Sequence, residues 1–373
     1  MAPRRSDGAG AFPKAVEPPA PEKKCDPDSL YAALDLGTNS CRMLIAQPDG
    51  NQFHVIDSFS KSVGLGQGLG GSGRLSRSSM ARTVQALKIC KRKLSKHEVS
   101  HMRLVATEAC RRASNARDFM AYIERETGLK LEIIKPEEEA TLAVISCAPL
   151  VGKRTEQLLV VDIGGGSTEL VWLDLSDVAP EDRQASIMRL QEGLRKAPAP
   201  GVGPAARVVD WISVPYGVAT LREQFDDVDD DSARFALMSW FFEEQLGDFS
   251  PFHRVPNREG FQIIGTSGTV TTVAATHLGL KRYDRNKVDG LRMTSDQIDK
   301  VIRGYLAAGP EGRRRDPRIG KDRQALIMSG AAILQALLRI WPTDRLSVAD
   351  RGLREGLLYA QMSSDGVLEE DAG

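Results

Sequence analysis

Two short segments of this 373-residue sequence repeat one arrangement of acidic, glycine and hydroxyl residues. The first copy reads Leu34-Asp35-Leu36-Gly37-Thr38-Asn39-Ser40, and the second reads Val161-Asp162-Ile163-Gly164-Gly165-Gly166-Ser167. In each copy an acid closes an apolar run, a glycine-containing turn follows, and a second apolar run begins after the turn. The pattern predicts a strand, a tight turn and a strand, twice in one chain.

Turns of this composition can bind a phosphate group together with a cation. Glycine permits positive φ and close approach to a ligand, so successive N–H groups can form a pocket for an anion. Asp35 and Asp162 carry the oxygen ligands that Mg²⁺ prefers. Further hydrogen-bond donors would be the hydroxyls of Thr38, Ser40, Ser167 and Thr168. One such turn alone is most simply a structural β-turn, whereas two matching copies favour two hairpins that face each other across a cleft.

Three better-known motifs do not fit this sequence. The glycine-rich turns of Rossmann and P-loop proteins open a helix, whereas the runs at 41–47 and 168–174 read as strands. The segment from His97 to His101 has the HExxH spacing of a zinc protease, which requires both histidines on one helical face. The predicted helix ends near His97 and a strand follows, so a solvated helix end is the favoured interpretation.

Strand-like and helix-like segments alternate along the chain, which indicates an α/β fold. The predicted strands cover residues 31–35, 41–47, 53–60, 102–107, 131–135, 157–163, 168–174, 210–214 and 261–265. The predicted helices cover residues 78–97 with Ser79 as the N-cap, 113–128, a segment opened by Pro136, 218–225, 232–247, 266–278, 296–308, 321–340 and 352–363. After Thr294 the chain is predicted to be mostly helical.

The length of the chain fits two or three domains. We predict a disordered, proline-rich tail over residues 1–28, because this segment has little apolar surface to bury. A first domain over residues 29–140 would be completed by C-terminal helices at about 341–364. A second domain over residues 141–340 would carry a polar insertion at 175–207.

Net charge, cysteine content and the lengths of apolar runs limit the kinds of ligand and the cellular compartments that fit this sequence. Lys+Arg and Asp+Glu are both 50, so a polyanion must be held by a local cluster and not by a global field. The stretch Arg313–Arg315, with Arg318, Lys321 and Arg323, is either such a cluster or a solvated face. Five cysteines without a CxxC pair fit free thiols in a reducing compartment. No apolar run reaches about 18 residues and no signal segment is recognised, so we expect a cytoplasmic protein.

Together, the two turns and the segment Ile264-Gly265-Thr266-Ser267-Gly268-Thr269 resemble the phosphate and nucleotide segments of the actin-like ATPase superfamily. Within it, residues from about 30 to 362 resemble the Ppx/GppA phosphatases, which are exopolyphosphatases and guanosine pentaphosphate phosphohydrolases. The motifs that carry this resemblance are Ala106-Thr107-Glu108-Ala109-Cys110-Arg111-Arg112-Ala113, Pro136-Glu137-Glu138-Glu139-Ala140 and Val348-Ala349-Asp350-Arg351-Gly352-Leu353-Arg354-Glu355-Gly356. It implies two actin-like (ribonuclease H-like) α/β domains that face each other across a cleft, with a mostly helical C-terminal segment.

The resemblance also implies roles for the acids. Glu139 would activate the attacking water, although Glu137 and Glu138 fit the first turn of the predicted helix equally well from sequence alone. Glu169 would be the second catalytic acid. The implied metal ligands are Asp35, Asp162 and Glu169.

Phosphate would be bound by two arginines, Arg42 and Arg111, whose guanidinium groups suit phosphate oxygens. The remaining phosphate-binding residues would be Gly37, Thr38, Asn39, Ser40, Gly164, Gly165, Gly166, Ser167, Thr168, Gly265, Thr266, Ser267 and Gly268. Arg354 and Glu355 are expected to be structural groups that pack the C-terminal helix.

The implied activity is Mg²⁺-dependent hydrolysis of the terminal phosphoanhydride bond of inorganic polyphosphate, in which another divalent or a monovalent cation could also take part. The alternative substrate is pppGpp, which would yield ppGpp, since both substrates present a terminal phosphoanhydride. Two further alternatives are a superfamily ATPase or kinase and a non-catalytic sensor of polyphosphate or (p)ppGpp. The resemblance implies a homodimer, and neither a membrane nor a specific nucleic acid is expected as a partner.

The sequence departs from the family pattern in three ways. The segment after the third predicted strand, which in family members usually carries arginine and glutamate, reads Lys61-Ser62-Val63-Gly64-Leu65-Gly66-Gln67-Gly68. Family members often carry a histidine before the glycine at position 290, where this chain has Asp289, so substrate contacts could differ there. Longer members carry further C-terminal helical domains, so we expect limited processivity on very long polyphosphate.

Overall fold

A computed structural model describes residues 29–192, 206–253 and 259–368. The predicted tail at 1–28 and the middle of the predicted insertion lie outside the described residues. The strands are β1 (Tyr31–Leu36), β2 (Ser40–Asp49), β3 (Gln52–Ser62), β4 (His101–Ala106), β5 (Glu132–Ile133), β6 (Gln157–Ile163), β7 (Thr168–Asp174), β8 (Arg207–Val214), β9 (Phe261–Thr266), β10 (Arg292–Met293) and β11 (Leu346–Ala349).

The helices lie between these strands in an alternating order. They are α1 (Leu69–Ser72), α2 (Arg77–Lys96), α3 (Glu108–Arg112), α4 (Ala116–Thr127), α5 (Pro136–Cys147), α6 (Arg183–Met188), α7 (Val218–Gln224), α8 (Asp231–Glu244), α9 (Gly268–His277), α10 (Arg285–Val288), α11 (Ser295–Arg315), α12 (Ile327–Ile340) and α13 (Leu353–Ser364). Short 3₁₀ turns cover Ala148–Leu150, Arg189–Glu192, Ser250–His253 and Lys321–Arg323.

The strands form two sheets with related connectivity. The first sheet has the order β3-β2-β1-β4-β5, and the second has the order β10-β11-β9-β6-β7-β8. In both, a central strand pairs antiparallel with the strand after its glycine-containing turn and parallel with a later strand. We call each sheet with its packed helices a lobe. The repeat seen in the sequence is therefore a repeat of topology, and it confirms the predicted α/β architecture.

Helix α5 lies between the two sheets and contributes to the core of each lobe. Leu142 packs in a buried cluster with Tyr31 and Ala33 of β1, while Ala140 and Val144 pack with residues of β6 and β7. A helix that is apolar on several faces must be covered on several faces. Helix α13 packs beside α5 over the first sheet, so the chain returns to the first lobe at its C-terminal end.

Several helices begin at residues other than the predicted ones, because side-chain hydrogen bonds fix their N-terminal ends. Helix α2 is capped by Ser76, whose hydroxyl accepts the Ser79 N–H at 3.1 Å, so the predicted cap at Ser79 is wrong. The predicted helix 113–128 begins only at Ala116, after a separate helix α3. Asn115 interrupts it, because its side chain accepts the Leu75 N–H and donates to the Leu75 carbonyl.

Other differences lie in the second lobe. The predicted helix 321–340 starts at Ile327, after a 3₁₀ turn. Strand β11 falls in the region predicted to be mostly helical, since a buried strand of four residues is too short to show a periodicity of its own. Within the predicted insertion, helix α6 places Ile187 in the core, and β8 begins at Arg207, three residues before the predicted start.

The two histidines of the HExxH spacing do not share a helical face. His97 ends α2 and its Nε2 lies 3.1 Å from Asp57, while His101 begins β4 and its Nδ1 lies 3.3 Å from Asp365. The protease interpretation is therefore excluded. Among the residues that the structure describes, no helix is both long enough and apolar enough to cross a membrane.

The contact between α5 and α13 yields a stability prediction. A Cβ on Gly356 would collide with the Leu142 carbonyl oxygen and lie 2.8 Å from its carbonyl carbon. Gly356→Ala should therefore lower the free energy of unfolding by about 1–3 kcal/mol, the usual cost of overpacking. Gly304→Ala is the matched control, because that exposed helical position has nothing within 4 Å and should gain up to about 1 kcal/mol. Chemical denaturation measures both, and equal effects would contradict the packing argument.

Candidate functional site

The two glycine-containing turns close with the same hydrogen bond. In the first, the Gly37 N–H donates to the Ser40 carbonyl at 2.9 Å, and in the second, the Gly164 N–H donates to the Ser167 carbonyl at 2.9 Å. Asp35 and Asp162 occupy equivalent places near the ends of β1 and β6. The predicted pair of hairpins is thus present, with matching geometry.

Neighbouring segments hold the carbonyl oxygens of the first turn. The Thr38 carbonyl accepts the Gly66 N–H at 2.9 Å, and the Asn39 carbonyl accepts the Val63 N–H at 2.8 Å. In a trans peptide the carbonyl and the following N–H point in opposite directions. The N–H groups of Asn39 and Ser40 therefore point away from the segment that holds the carbonyls.

The N-terminus of α7 holds the second turn in the same way. Val218 and Ala219 donate their N–H groups to the carbonyls of Gly164 and Gly165 at 2.9 and 2.8 Å, and the Thr220 hydroxyl donates to the Gly166 carbonyl at 3.0 Å. The N–H groups that follow these carbonyls, at residues 165–167, consequently point away from α7. Two sets of N–H groups held in this manner form an anion-binding arrangement.

The tips of the two hairpins touch. A Cβ on Gly165 would lie 3.2 Å from the backbone nitrogen of Asn39, and a Cβ on Gly166 would collide with the Thr38 hydroxyl. Glycine at positions 165 and 166 permits this approach, whereas a Cβ on Gly164 would lie 2.8 Å from the Ser167 carbonyl oxygen of its own turn.

A cavity of about 270 Å³ lies between the lobes at these turns. It collects most of the predicted site residues, namely Asp35, Gly37, Thr38, Asn39, Ser40, Arg42, Glu139, Asp162, Gly164, Gly165, Ser167, Thr266, Ser267 and Gly268. The predicted residues that are not in its lining are Gly166, Thr168, Glu169, Gly265 and Arg111. Thr168 instead donates its hydroxyl to the Tyr216 carbonyl at 2.8 Å, so its side chain supports the turn.

The carboxylates of Asp35 and Asp162 act on each other inside this cavity. Burial and, to a smaller extent, the charge of Asp35 raise the pKa of Asp162 to about 6, against the lowering effect of Arg42. Burial also raises the pKa of Asp35, against the lowering effect of Arg42 and Arg354. Two half-buried acids that repel each other form a place where a cation would be stabilised.

The structure distinguishes Glu139 from its two acidic neighbours. Glu137 is exposed and Glu138 pairs with Arg103, whereas Glu139 is buried and lines the cavity. The Arg111 guanidinium donates to Glu139 Oε2 at 2.7 Å. Burial raises the pKa of Glu139 to about 7, although Arg111 opposes this shift. A carboxylate that titrates near neutrality and faces a cavity suits a general base.

Arg111 and Glu169 lie behind the cavity surface. The Arg111 guanidinium bridges Glu139 and Glu108, so it orients the candidate base, and its contact with phosphate stays a prediction. Glu169 is 2% exposed and accepts the Ser213 hydroxyl at 2.8 Å. Burial and the charges of Glu139 and Asp162 raise the pKa of Glu169 well above its usual range. Its roles as catalytic acid and metal ligand also stay predictions.

A third segment, between β9 and α9, closes the cavity. Ser267 adopts φ 113°, an uncommon backbone conformation for a residue with a side chain. The buried hydroxyls of Ser267 and Thr38 have no hydrogen-bond partner. Unpaired buried hydroxyls and the N-terminus of α9 are features that a bound anion would satisfy.

Several cavity residues were not among the sequence-predicted site residues, chiefly Lys61, Arg323, Asp350 and Arg354. Arg323 donates to the Gly268 carbonyl and to the Thr272 hydroxyl at 3.0 and 2.7 Å, from a segment distant in sequence. The basic stretch that contains Arg323 offered a signal without singling it out. Arg354 was predicted to be structural, but its guanidinium reaches the cavity, while Glu355 does accept the Gly352 N–H and pack α13.

Three of the six basic residues in that stretch are paired with acidic residues. Arg313 is buried and forms two hydrogen bonds with Asp231, Arg314 pairs with Glu311, and Arg318 pairs with Asp316. Of the six basic residues, Arg323 is the one in the cavity lining. The role of the others in binding a polyanion stays a prediction.

Comparison with known proteins identifies a family and several solved structures that this chain resembles. The sequence matches the Ppx/GppA phosphatase family over residues 44–365. The chain is similar to a solved Ppx/GppA family member from Aquifex aeolicus, with 30% identity, a TM-score of 0.69, and coverage of 90% of this chain and 98% of that chain. It is also similar to a solved exopolyphosphatase-like protein, with 26% identity, a TM-score of 0.74 and coverage of 90% and 98%. An exopolyphosphatase from Cytophaga hutchinsonii, at 22% identity and a TM-score of 0.75 over 91% and 100% of the two chains, shares the fold.

The charge arrangement predicts an anion-binding role for Arg42. Burial is the main cause that lowers the pKa of Arg42, and the nearby charge of Arg354 lowers it further. An anion would therefore stabilise both guanidinium groups. Arg42→Gln should weaken tripolyphosphate binding at least about tenfold, since a hydrogen bond to a charged group contributes about 1.5–3 kcal/mol. Isothermal titration calorimetry checks this. Arg314→Gln removes an equal charge from an exposed ion pair, and a similar loss in that control would contradict the prediction.

Proposed function

Because the chain belongs to the Ppx/GppA phosphatase family, we propose that it hydrolyses the terminal phosphoanhydride bond of inorganic polyphosphate. One observation carries the proposal: a buried carboxylate that titrates near neutrality, Glu139, lines the same cavity as two anion-binding hairpins and a pair of acids. Phosphoryl transfer depends mainly on positioning and on charge stabilisation, which such a set can supply.

The hairpin N–H groups would hold the terminal phosphate of the chain. Asn39 and Ser40 contribute from the first lobe, and Gly165 contributes from the second, so the phosphate would be gripped from both sides. Arg42 and Arg354 add positive charge beside these donors. This arrangement would stabilise the charge on the equatorial oxygens as the bond to the next phosphate lengthens.

The cavity fits a bound Mg²⁺. The two acids Asp35 and Asp162 repel each other, and the unpaired hydroxyls of Thr38 and Ser267 lie at the same cavity. Within the described part of the chain, no three His, Cys, Asp or Glu residues form a complete ligand set. Mg²⁺ commonly uses one or two carboxylates, with water and substrate phosphates as its other ligands. Bound there, Mg²⁺ would supply charge neutralisation for the phosphates.

Glu139 would act as the general base. Its carboxylate would accept a proton from a water molecule as that water's oxygen forms a bond to the terminal phosphorus. The bridging P–O bond then breaks, and orthophosphate and a polyphosphate shorter by one unit leave. Arg111, which donates to one carboxylate oxygen, would keep the group oriented toward the cavity. Positioning of this kind accounts for much of the effect of a general base.

The nucleotide pppGpp is a second candidate substrate, and one observation favours it. Tyr283 is 49% exposed, and its hydroxyl lies beside the cavity residues Asp350 and Thr271. An aromatic ring at the edge of a phosphate site offers a stacking surface for a base. Polyphosphate has no group that needs such a surface, so the two substrates make different demands on this edge.

Phosphate release from a panel of substrates tests the proposal. Long polyphosphate, tripolyphosphate, pppGpp and ATP are compared at equal concentrations of terminal phosphate, with Mg²⁺ and with EDTA. We expect Mg²⁺-dependent release that is fastest with polyphosphate. Faster release from pppGpp would favour the nucleotide, predominant ATP turnover would indicate an ATPase or kinase, and tight binding without turnover would indicate a sensor.

The pKa of Glu139 predicts how the rate depends on pH. A general base must be deprotonated, so the rate should be low in acid and should rise as Glu139 loses its proton, with a midpoint no higher than about 7. A bound cation would lower this midpoint, because it favours the charged carboxylate. Glu139→Gln should lower kcat by at least about 10²-fold, remove this rise, and leave tripolyphosphate binding within a few fold.

Glu137→Gln is the matched control, because that neighbouring side chain is exposed. It should retain the rate and the pH profile of the unmodified protein. Loss of binding and turnover in equal measure in Glu139→Gln, or an unchanged pH profile, would show that Glu139 is not the base.

A further inference from the structure

One arginine in the cavity wall is held by an acid from another segment. Arg351, between β11 and α13, lines the cavity. Its guanidinium donates twice to Asp289 Oδ2, from Nε at 2.9 Å and from Nη2 at 2.8 Å. Both side chains are largely buried, with 21% of Arg351 and 15% of Asp289 exposed. A buried, doubly hydrogen-bonded pair of this kind keeps one geometry.

Asp289 also holds the backbone beside this arginine. Its other oxygen, Oδ1, accepts the Asp350 N–H at 3.0 Å, and the next residue, Gly290, donates its N–H to the Val348 carbonyl at 2.8 Å. Arg285, on α10, donates to the Asp350 carbonyl at 2.7 Å. The segment that lines the cavity is therefore fixed from one side by residues 285–290.

The other arginines at the cavity are in a different situation. Arg42, Arg323 and Arg354 lie close enough to influence one another, and the charge of Arg354 lowers the pKa of Arg42. Asp35 is stabilised in its charged form by Arg42 and Arg354. All three line the cavity, and within the described residues none forms a close doubly hydrogen-bonded pair with one carboxylate: Arg323 donates to the Gly268 carbonyl and the Thr272 hydroxyl, and Arg354 lies 3.8 Å from Glu355. The charge of Arg351, in contrast, is balanced at 2.8 Å by the carboxylate of Asp289.

We propose that Asp289 is a specificity-determining residue that withholds the positive charge of Arg351 from the cavity and so limits its affinity for polyanions. The inference rests on the proposed function, because it concerns the same phosphate site. A polyanion that binds too tightly is released slowly, and each additional cation near phosphates raises both the affinity and its dependence on salt. Asp289 would thereby adjust the balance between capture and release of a multiply charged chain.

Three variants separate the effect of the charges of Asp289 and Arg351 from the effect of their side-chain packing. Asp289→Asn keeps the shape and can still accept the Asp350 N–H, but it leaves Arg351 without a counter-charge. Arg351→Gln leaves the carboxylate of Asp289 uncompensated at the cavity wall. The double variant Asp289→Asn with Arg351→Gln removes both charges and restores the original net charge.

Equilibrium binding of tripolyphosphate is measured by calorimetry at two salt concentrations, with Glu139→Gln in every protein so that no turnover occurs. Asp289→Asn should bind roughly fivefold more tightly and with a steeper salt dependence, since one positive charge is no longer balanced at the wall of the cavity. Arg351→Gln should bind roughly fivefold more weakly. The double variant should return to within about twofold of the parent, because the two effects cancel.

A control for net charge and a stability measurement complete the test. Asp299→Asn frees an equal charge from the Asp299–Arg303 ion pair on α11 and should leave binding unchanged. If all the variants bind with equal affinity and differ only in thermal unfolding, Asp289 contributes to stability alone and the proposal is overturned. Weaker binding by Asp289→Asn would overturn it as well.

Failure of the proposed function gives a different result. If the protein with Glu139 intact releases no phosphate from any substrate, but the binding series shifts as described, the hydrolase proposal fails and the role of Asp289 stands. If phosphate is released normally but the series does not shift, the role of Asp289 fails and the hydrolase proposal stands.

Discussion

The structure depends on the burial of two like-charged carboxylates, Asp35 and Asp162, at one point between two lobes. An uncompensated buried carboxylate is strongly destabilising. Burial raises the pKa of both acids, and the charge of Asp35 adds to the shift of Asp162. Arg42 and Arg354 offset part of this repulsion. The remaining charge imbalance would favour binding of a cation and a phosphate together. A cation alone would be repelled by the arginines, and a phosphate alone would be repelled by the acids.

Backbone geometry makes this burial possible, and it does so twice by the same means. Each acid is the penultimate residue of its strand, and the turn that follows the strand closes through one N–H to carbonyl bond of 2.9 Å. The supporting segments differ, a loop in the first lobe and the N-terminus of α7 in the second, yet both bind the turn carbonyls and leave the N–H groups on the opposite side. Duplication of a hairpin thus produces two half-sites, and contact between Gly166 and Thr38 joins them.

The parts of the site that were predictable from sequence are those encoded locally. Asp35, Asp162 and the two turns are contiguous motifs, so their repeat identified them, and strands flanking a glycine turn excluded helix-opening motifs. Arg323 and Asp350 reach the cavity only through tertiary packing, and no spacing in the sequence places them beside the turns. Likewise, three acids in one helical turn were equivalent until the fold exposed one, paired another with Arg103 and buried Glu139. Strand β11 was missed because a short buried strand lacks a periodic signal.

Helix α5 carries the candidate base, Glu139, and packs against both lobes. Glu139 lies in its first turns and is held by Arg111 from the first lobe. The same helix packs through Ala140 and Val144 on the second sheet, next to the strand that carries Asp162. A shift of one sheet relative to the other must therefore either move Glu139 away from Arg111 or move it relative to Asp162. The relative position of the two sheets and the position of the Glu139 carboxylate are thus set by the same helix, since a close-packed helix transmits displacement without absorbing it.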